Sequence, residues 1–222
     1  MKLSVKTIQV LKNFSSINQS IYFTQGNKIR TISPMKTIMA EASVQEMFPR
    51  DFGIYDLNQF LGVVSLFEEP DLDFDTHNLI IKDDNKAKSN YFYADKSMIV
   101  IPPEKPLELP DEPIAFSLSD TFVKSILQAA NVLQLPEIVV KGDGEKIQVT
   151  ATNVKNTTAN SFSYDVGYTD KVFDMIFKVE NLKLLLGSYD VKISSKGISQ
   201  FTSMDGNLIY TIVNEASSTY TG

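Results

Sequence analysis

Ile99-Val100-Ile101-Pro102-Pro103-Glu104-Lys105-Pro106-Leu107-Glu108-Leu109-Pro110-Asp111-Glu112-Pro113 places five prolines in fifteen residues near the middle of a 222-residue chain. Proline removes a backbone donor and fixes φ, so this stretch reads as a semi-rigid, extended connection. It divides the chain into two expected domains, 1–108 and 109–222, each of ordinary domain size. Outward from this stretch the two halves look alike. Each opens on an amphipathic helix. In the first, Ser4 is placed to cap, and Ile8, Leu11 and Phe14 share a face. In the second, Ser119 or Ser117 caps a helix that gathers Phe122, Val123, Ile126, Leu127, Ala130 and Leu133.

Each helix runs on into a strand and a glycine turn. Ile21–Ile29, turning at Gly26, is echoed by Ile138–Ile147, turning at Gly142 and Gly144, and both predict hairpins. Each half then offers a second short apolar helix, at 56–64 and at 179–187. Alternating strands follow at Asn78–Lys82 and Asn90–Ala94, then at Tyr189–Ser194 and Leu208–Val213. The expected fold class is α+β, an internal duplication of one unit with helices on one side and antiparallel sheets on the other.

Composition narrows the function classes. Hydrophobic residues make up 43% of the chain, enough for a packed core throughout. No apolar run approaches the ~20 residues of a membrane helix, and the first residues lack the apolar core of a signal peptide. The chain has no cysteine, which removes disulfides, thiolate metal sites and a cysteine nucleophile. The expected location is cytoplasmic. Net charge is −6, which alone argues against nucleic-acid binding. The charges are segregated, however. Residues 1–40 hold six bases (Lys2, Lys6, Lys12, Lys28, Arg30, Lys36) and no acid, while Glu68, Glu69, Asp71, Asp73 and Asp75 cluster. Such separation suggests surfaces of opposite sign.

A search for catalytic chemistry finds little. His77 is the one histidine, in a polar turn where exposure explains it better than base catalysis. No phosphate-binding glycine loop or nucleophile elbow is present. Asp71, Asp73 and Asp75 have the opening spacing of a calcium loop. Its sixth and twelfth positions are Thr76 and Lys82 instead of glycine and glutamate, so the calcium reading fails. No cofactor or metal is expected, and the chain reads as a non-enzyme.

The polar helix faces are more informative. On the first helix Lys2, Lys6, Gln9, Lys12 and Asn13 lie opposite the apolar arc, with no acid. On the second, Thr121, Lys124, Ser125, Gln128 and Asn131 do the same, and Asp120 is confined to the first turn, where it suits the helix dipole. Lysine and amide side chains make weak, sequence-independent phosphate contacts. On composition alone, ordinary solvation of a helix is the favoured account of the same residues.

Met1-Lys2-Leu3-Ser4 and Leu11–Asn18, Ile54-Tyr55-Asp56-Leu57-Asn58-Gln59-Phe60-Leu61-Gly62, Phe92–Ser97, and Val100–Pro110 follow one another in an order and spacing that resembles the sliding clamp of T-even-type tailed bacteriophages. The resemblance implies two similar domains per subunit, as in proliferating-cell nuclear antigen. It implies a homotrimeric ring closed head to tail around duplex DNA, with helices lining the hole. It implies a processivity factor for the replicative DNA polymerase, which it binds through a short C-terminal peptide. It also implies an ATP-dependent clamp loader, a link to late-transcription machinery, and residence in the cytoplasm of the infected bacterial host. The DNA-facing residues it suggests are Lys2, Lys6, Lys12, Lys124 and, with Glu180 nearby, Lys183. The partner-peptide pocket would draw on Leu107, Leu109, Leu208, Tyr210 and Ile212, all of which also read as core or strand-edge residues. Subunits would meet through an edge strand in 90–100 and one in 160–166. The competing readings are a structural or scaffolding protein of a virion, and a hydrolase built on carboxylates.

Overall fold

A computed structural model describes the chain except Lys86, Thr157 and Pro106, the last of these within the proline-rich stretch. The chain divides into two compact units, Met1–Glu104 and Lys105–Gly222. The division falls inside the proline-rich stretch, four residues before the expected 108/109 boundary. No described helix is long and apolar enough to cross a membrane.

Unit 1 begins with α1 (Val5–Ile17). The Ser4 side chain accepts from Thr7 N, and Thr7, Val10, Leu11, Phe14 and Ile17 form the buried stripe. Asn18 ends the helix by leaving for extended φ/ψ. Its Nδ2 donates to Ile32 O at 2.8 Å, so the side chain offsets the interruption by tying the helix end to a strand. Next come β1 (Ile21–Phe23), β2 (Gly26–Ile32), β3 (Ile38–Phe48), β4 (Phe52–Ile54) and α2 (Leu57–Val64). Asp56 caps α2, accepting from Gln59 N at 2.9 Å. A meander of β5 (Asp71–Phe74), β6 (Asn78–Lys82) and β7 (Lys88–Phe92) completes the unit. α1 packs beside α2 and over β3.

The hairpin expected at Gly26 does not form. β1 pairs with β4, Ile21 opposite Ile54, and β2 folds back on β3. The reason is aromatic burial. Phe23 stacks on Phe52 with ring centroids 4.5 Å apart, and Phe48 and Phe74 close around them. Burying a phenylalanine is worth about 1.5–3 kcal/mol, more than a local turn preference supplies.

Unit 2 contains β8 (Ile114–Leu118), α3 (Asp120–Val132), β9 (Glu137–Asp143), β10 (Lys146–Thr152), β11 (Phe162–Tyr168), β12 (Val172–Lys178), β13 (Tyr189–Ile193), β14 (Ile198–Ser203), β15 (Leu208–Val213) and β16 (Thr219–Tyr220). Strands β11, β10, β9, β12 and β16 form one antiparallel sheet in that order. Strands β15, β14, β13 and β8 are neighbours in a second. Here the expected hairpin exists: β9 and β10 pair across Gly144, whose φ of +89° is the left-handed value a tight turn demands. Ser119, not Ser117, caps α3. Phe177 of β12 meets Phe201 of β14 edge to face at 5.9 Å, joining the two sheets across the core.

The second helix expected at 179–187 is absent. One 3-10 turn, Val179–Asn181, stands in its place. No side chain caps it, and Leu182 leaves helical φ/ψ. The backbone of Leu185 is engaged elsewhere. Its N–H donates to the Tyr210 hydroxyl at 3.0 Å, and its carbonyl accepts from the Tyr189 hydroxyl. Two buried core tyrosines thus take the hydrogen bonds a helix would use.

Candidate nucleic-acid and partner-binding surfaces

α1 has no acidic residue in its first turn, so its own sequence leaves the helix dipole uncompensated. β3 supplies the missing charge. Glu46, 9% exposed, accepts from Thr7 Oγ1 at 2.5 Å and from Ser4 N. Burial pushes this carboxyl up, but the bonds from Thr7 and Ser4 outweigh it and hold Glu46 below the usual glutamate range. The start of α1 is therefore pinned to the sheet by a buried carboxylate. That leaves Lys6, Gln9, Lys12 and Ser16 exposed on the opposite side with no acid among them. Beside them α2 presents Asn58, Gln59 and Gly62, also free of acid. In unit 2, Thr121, Lys124, Gln128 and Asn131 are exposed along α3, and Asp120 is held at its N-terminus as expected.

The five lysines drawn from sequence fall into separate groups. Lys12 and Lys124 are exposed and have no ion-pair partner among the described residues. Lys6 is exposed and Lys183 half-buried, and both are engaged in further interactions. Lys2 precedes α1 and is exposed, with its Nζ 2.5 Å from Glu69. The hydrogen bond and then the charge of Glu69 raise the Lys2 pKa, and Asp84 and Asp71 add to it. Lys2 therefore belongs to a mixed-charge cluster and not to the acid-free face. Sequence reasoning missed this because Glu69 lies 67 residues away.

The residues drawn for the partner pocket also separate. Leu208, Tyr210 and Ile212 are buried inside unit 2, at 7%, 0% and 0% exposure. Leu107 is exposed and Leu109 half-buried. Their segment is fastened to unit 2 at three points. Gln200 Nε2 donates to Leu107 O at 2.8 Å, Lys192 pairs with Glu112 at 2.8 Å, and Asp111 accepts from Ser195 N at 2.9 Å and from the Ser194 and Ser195 hydroxyls. The bonds from Ser194 and then Ser195 hold the Asp111 carboxyl below its usual range.

Next to this anchor lies a groove of about 390 Å³ that the sequence did not reveal. Ser195 borders it, together with Met175, Lys196, Val213, Asn214, Ala216 and Tyr220. Its lining comes from three separated stretches of chain, at 175, at 195–197 and within 213–220. Met175, Val213, Ala216 and Tyr220 share this lining with polar residues that include Lys196, Asn214 and Glu215, a mixture that suits an extended peptide better than a reacting small molecule.

Elsewhere the chemistry stays sparse. His77 is exposed and uses its carbonyl to accept from Tyr93 N. Asp73 is paired with Lys82, and Asp75 accepts from Thr76 N. Among the described residues no cluster has the makings of a metal site.

Residues 2–101 match the family model described as DNA polymerase processivity factor, and residues 116–216 match that of the gp45 sliding clamp, C terminal. The sliding clamp of Vibrio phage KVP40 is 32% identical over 97% of this chain and 100% of its own length. That of Enterobacteria phage T4 is 30% identical over 99% of both. Among solved structures, A. fulgidus PCNA bound to the C-terminal region of FEN-1 superposes with a TM-score of 0.70 at 15% identity, covering 95% of each chain. PCNA from Thermococcus kodakaraensis gives 0.70 at 12%, covering 95% of this chain and 96% of its own. These last two establish the fold: the α+β clamp fold with two domains. The virion-scaffold and hydrolase readings are set aside. The chain belongs to the phage sliding-clamp family of non-enzymatic DNA polymerase processivity factors.

Proposed function

We propose that three copies close head to tail around duplex DNA, with the exposed faces of α1, α2 and α3 turned to the phosphates. The observation that carries this reading is the scarcity of acid on those faces, where Asp120 in the first turn of α3 is the exposed exception, in a chain of net charge −6. An acidic exterior repels DNA, and an acid-poor lining lets it slide. Retention is topological, so each contact from Lys6, Lys12 or Lys124 can be weak and readily exchanged. Strands β7 and β11 support the closure. Each ends its sheet and leaves a row of main-chain groups without strand partners among the described residues. A β7-to-β11 contact between copies is heterologous, the kind that generates rings.

The groove beside the Asp111 anchor is the proposed seat of the replicative polymerase's C-terminal peptide. The exposed Lys196 of its lining is suited to a terminal carboxylate, with Glu215 as the one acid beside it. An ATP-dependent clamp loader and the late-transcription machinery are the further partners, and the cytoplasm of the infected host is the proposed setting. The test is retention on DNA in the presence of loader and ATP. The protein should stay on a closed circle and be lost when the circle is cut, and it should sediment near three times 24.8 kDa. Equal retention on circular and linear DNA overturns the topological mechanism.

A further inference from the structure

The faces proposed to meet DNA differ in charge. On unit 1, α1 exposes Lys6 and Lys12, and α2 adds Asn58, Gln59 and Gly62. Neither helix contains an acid, so together they sum to +2. On unit 2, α3 contains Asp120 and Lys124, which sum to zero. The place in chain order that α2 holds in unit 1 is taken here by the 3-10 turn Val179–Asn181 and the extended residues after it. That stretch contains Glu180 and Lys183 and again sums to zero. Both acids are exposed. Asp120 stands four residues before Lys124, the order and spacing at which an acid and a lysine attract along a helix. Charges so placed lie within one Debye length, about 8 Å, so a passing phosphate meets them as a nearly neutral pair. Leu186 is exposed in the same stretch, so apolar surface stands where α2 offers amides.

We infer that Asp120 and Glu180 cancel the share of unit 2, so that the hold on duplex DNA is threefold in charge rather than sixfold. Unit 1 of each copy supplies the phosphate contacts. Lys12 is foremost among them, because it is exposed and has no ion-pair partner among the described residues. Three copies then contribute three positive patches and three neutral ones. The inference rests on the ring reading proposed above. Its consequence is that log affinity follows the number of positive patches and not the number of helices.

The test is salt-titrated binding of the assembled full-length protein to a short duplex, with each variant sedimented first to confirm that it assembles. Lys6→Ala with Lys12→Ala should weaken binding about tenfold at low salt and flatten the salt slope by about 0.9 for each phosphate released. Asp120→Asn with Lys124→Ala removes one charge of each sign and should cost far less, about twofold. Asp120→Asn with Glu180→Gln raises unit 2 by two charges, and it should tighten binding about tenfold and steepen the slope. Glu180→Gln alone leaves α3 and its first-turn acid untouched, and should tighten binding about threefold. A loss in the Asp120 and Lys124 double variant equal to that in the Lys6 and Lys12 double variant overturns the asymmetry. No gain in either variant that removes acid does the same, and both results leave DNA binding by the helices standing. Wild-type affinity in Lys6→Ala with Lys12→Ala overturns the DNA-facing role of α1 and the inference with it.

Discussion

Glu46 of β3 holds the start of α1 through Thr7, whose hydroxyl donates to the carboxylate at 2.5 Å while both side chains are buried. A folded-state pKa below the unfolded value means stability that is complete above the unfolded pKa. That stability is lost as pH falls through the folded pKa. The window here lies below the ordinary glutamate value of 4.5. Denaturant unfolding followed from pH 7 to pH 3 should show an acid limb to which Glu46 contributes. Glu46→Gln turns one acceptor into a donor facing Ser4 N, and it should cost about 1–3 kcal/mol at neutral pH. The variant should lose less than wild type on acidification. An unchanged acid limb would show that the cap carries no net charge-dependent stability.

The bond between Glu46 and Thr7 also shows what the sequence could and could not disclose. α1, α2 and α3 were legible because Ser4, Asp56 and Ser119 announce their starts and apolar residues recur at helical spacing. The buried carboxylate across from Ser4 was not, because it comes from 42 residues away. The leucine run at 182–186 read as helix from spacing alone. Its hydrogen bonds go to Tyr189 and to Tyr210, the latter 25 residues from Leu185, and local propensity yielded to them. The first hairpin failed for the same reason, since Phe23 gains more from stacking on Phe52 than from turning at Gly26. The acid-free face of α1 and the acid-poor face of α3 were visible in composition. The groove was not, because Met175, Ser195, Asn214 and Tyr220 meet only after β12, β14, β15 and β16 are in place.

Charge reversal should grade the lysines. Lys12→Glu and Lys124→Glu remove exposed cations from the acid-free face of α1 and the acid-poor face of α3. Each should lower the slope of log affinity against log salt by about 0.9 for every phosphate no longer neutralised. Lys2→Ala should have a smaller effect, because Glu69 already engages that ammonium. Glu69→Gln should release Lys2 and strengthen DNA binding at low salt. Salt-titrated binding of the assembled ring to short duplex DNA provides the measurement, and equal effects at Lys2 and Lys12 would reject the ranking.

The paired tyrosines should be unequal to remove. Tyr210→Phe deprives Leu185 N of its acceptor, and Tyr189→Phe deprives Leu185 O of a donor. Half-buried main-chain groups left without partners should cost about 1 kcal/mol in each case. A buried N–H has a single bond to lose, whereas a carbonyl has a second lone pair, so Tyr210→Phe should be the more damaging. Burial raises both phenol pKa values, so neither tyrosine should ionise in the native protein at pH 10. Ultraviolet titration at 295 nm alongside chemical denaturation would check both statements.

Asp111 should decide whether the segment around Leu107 and Leu109 stays on unit 2. Its carboxylate gathers Ser195 N and two serine hydroxyls, and Gln200 and Lys192 hold the chain on either side. Asp111→Ala removes the central fastening and leaves the other two. The Ser195 amide, bonded to Asp111 at 2.9 Å, should lose protection in hydrogen exchange, while the β13 amides, paired within the sheet, keep theirs. Because Ser195 borders the groove, freeing it should also weaken peptide binding without altering retention on circular DNA. A variant that exchanges faster at Ser195 yet binds the peptide as before would separate the anchor from the partner site. Weaker protection and weaker binding in parallel would tie the proline-rich connection to partner recognition through one carboxylate.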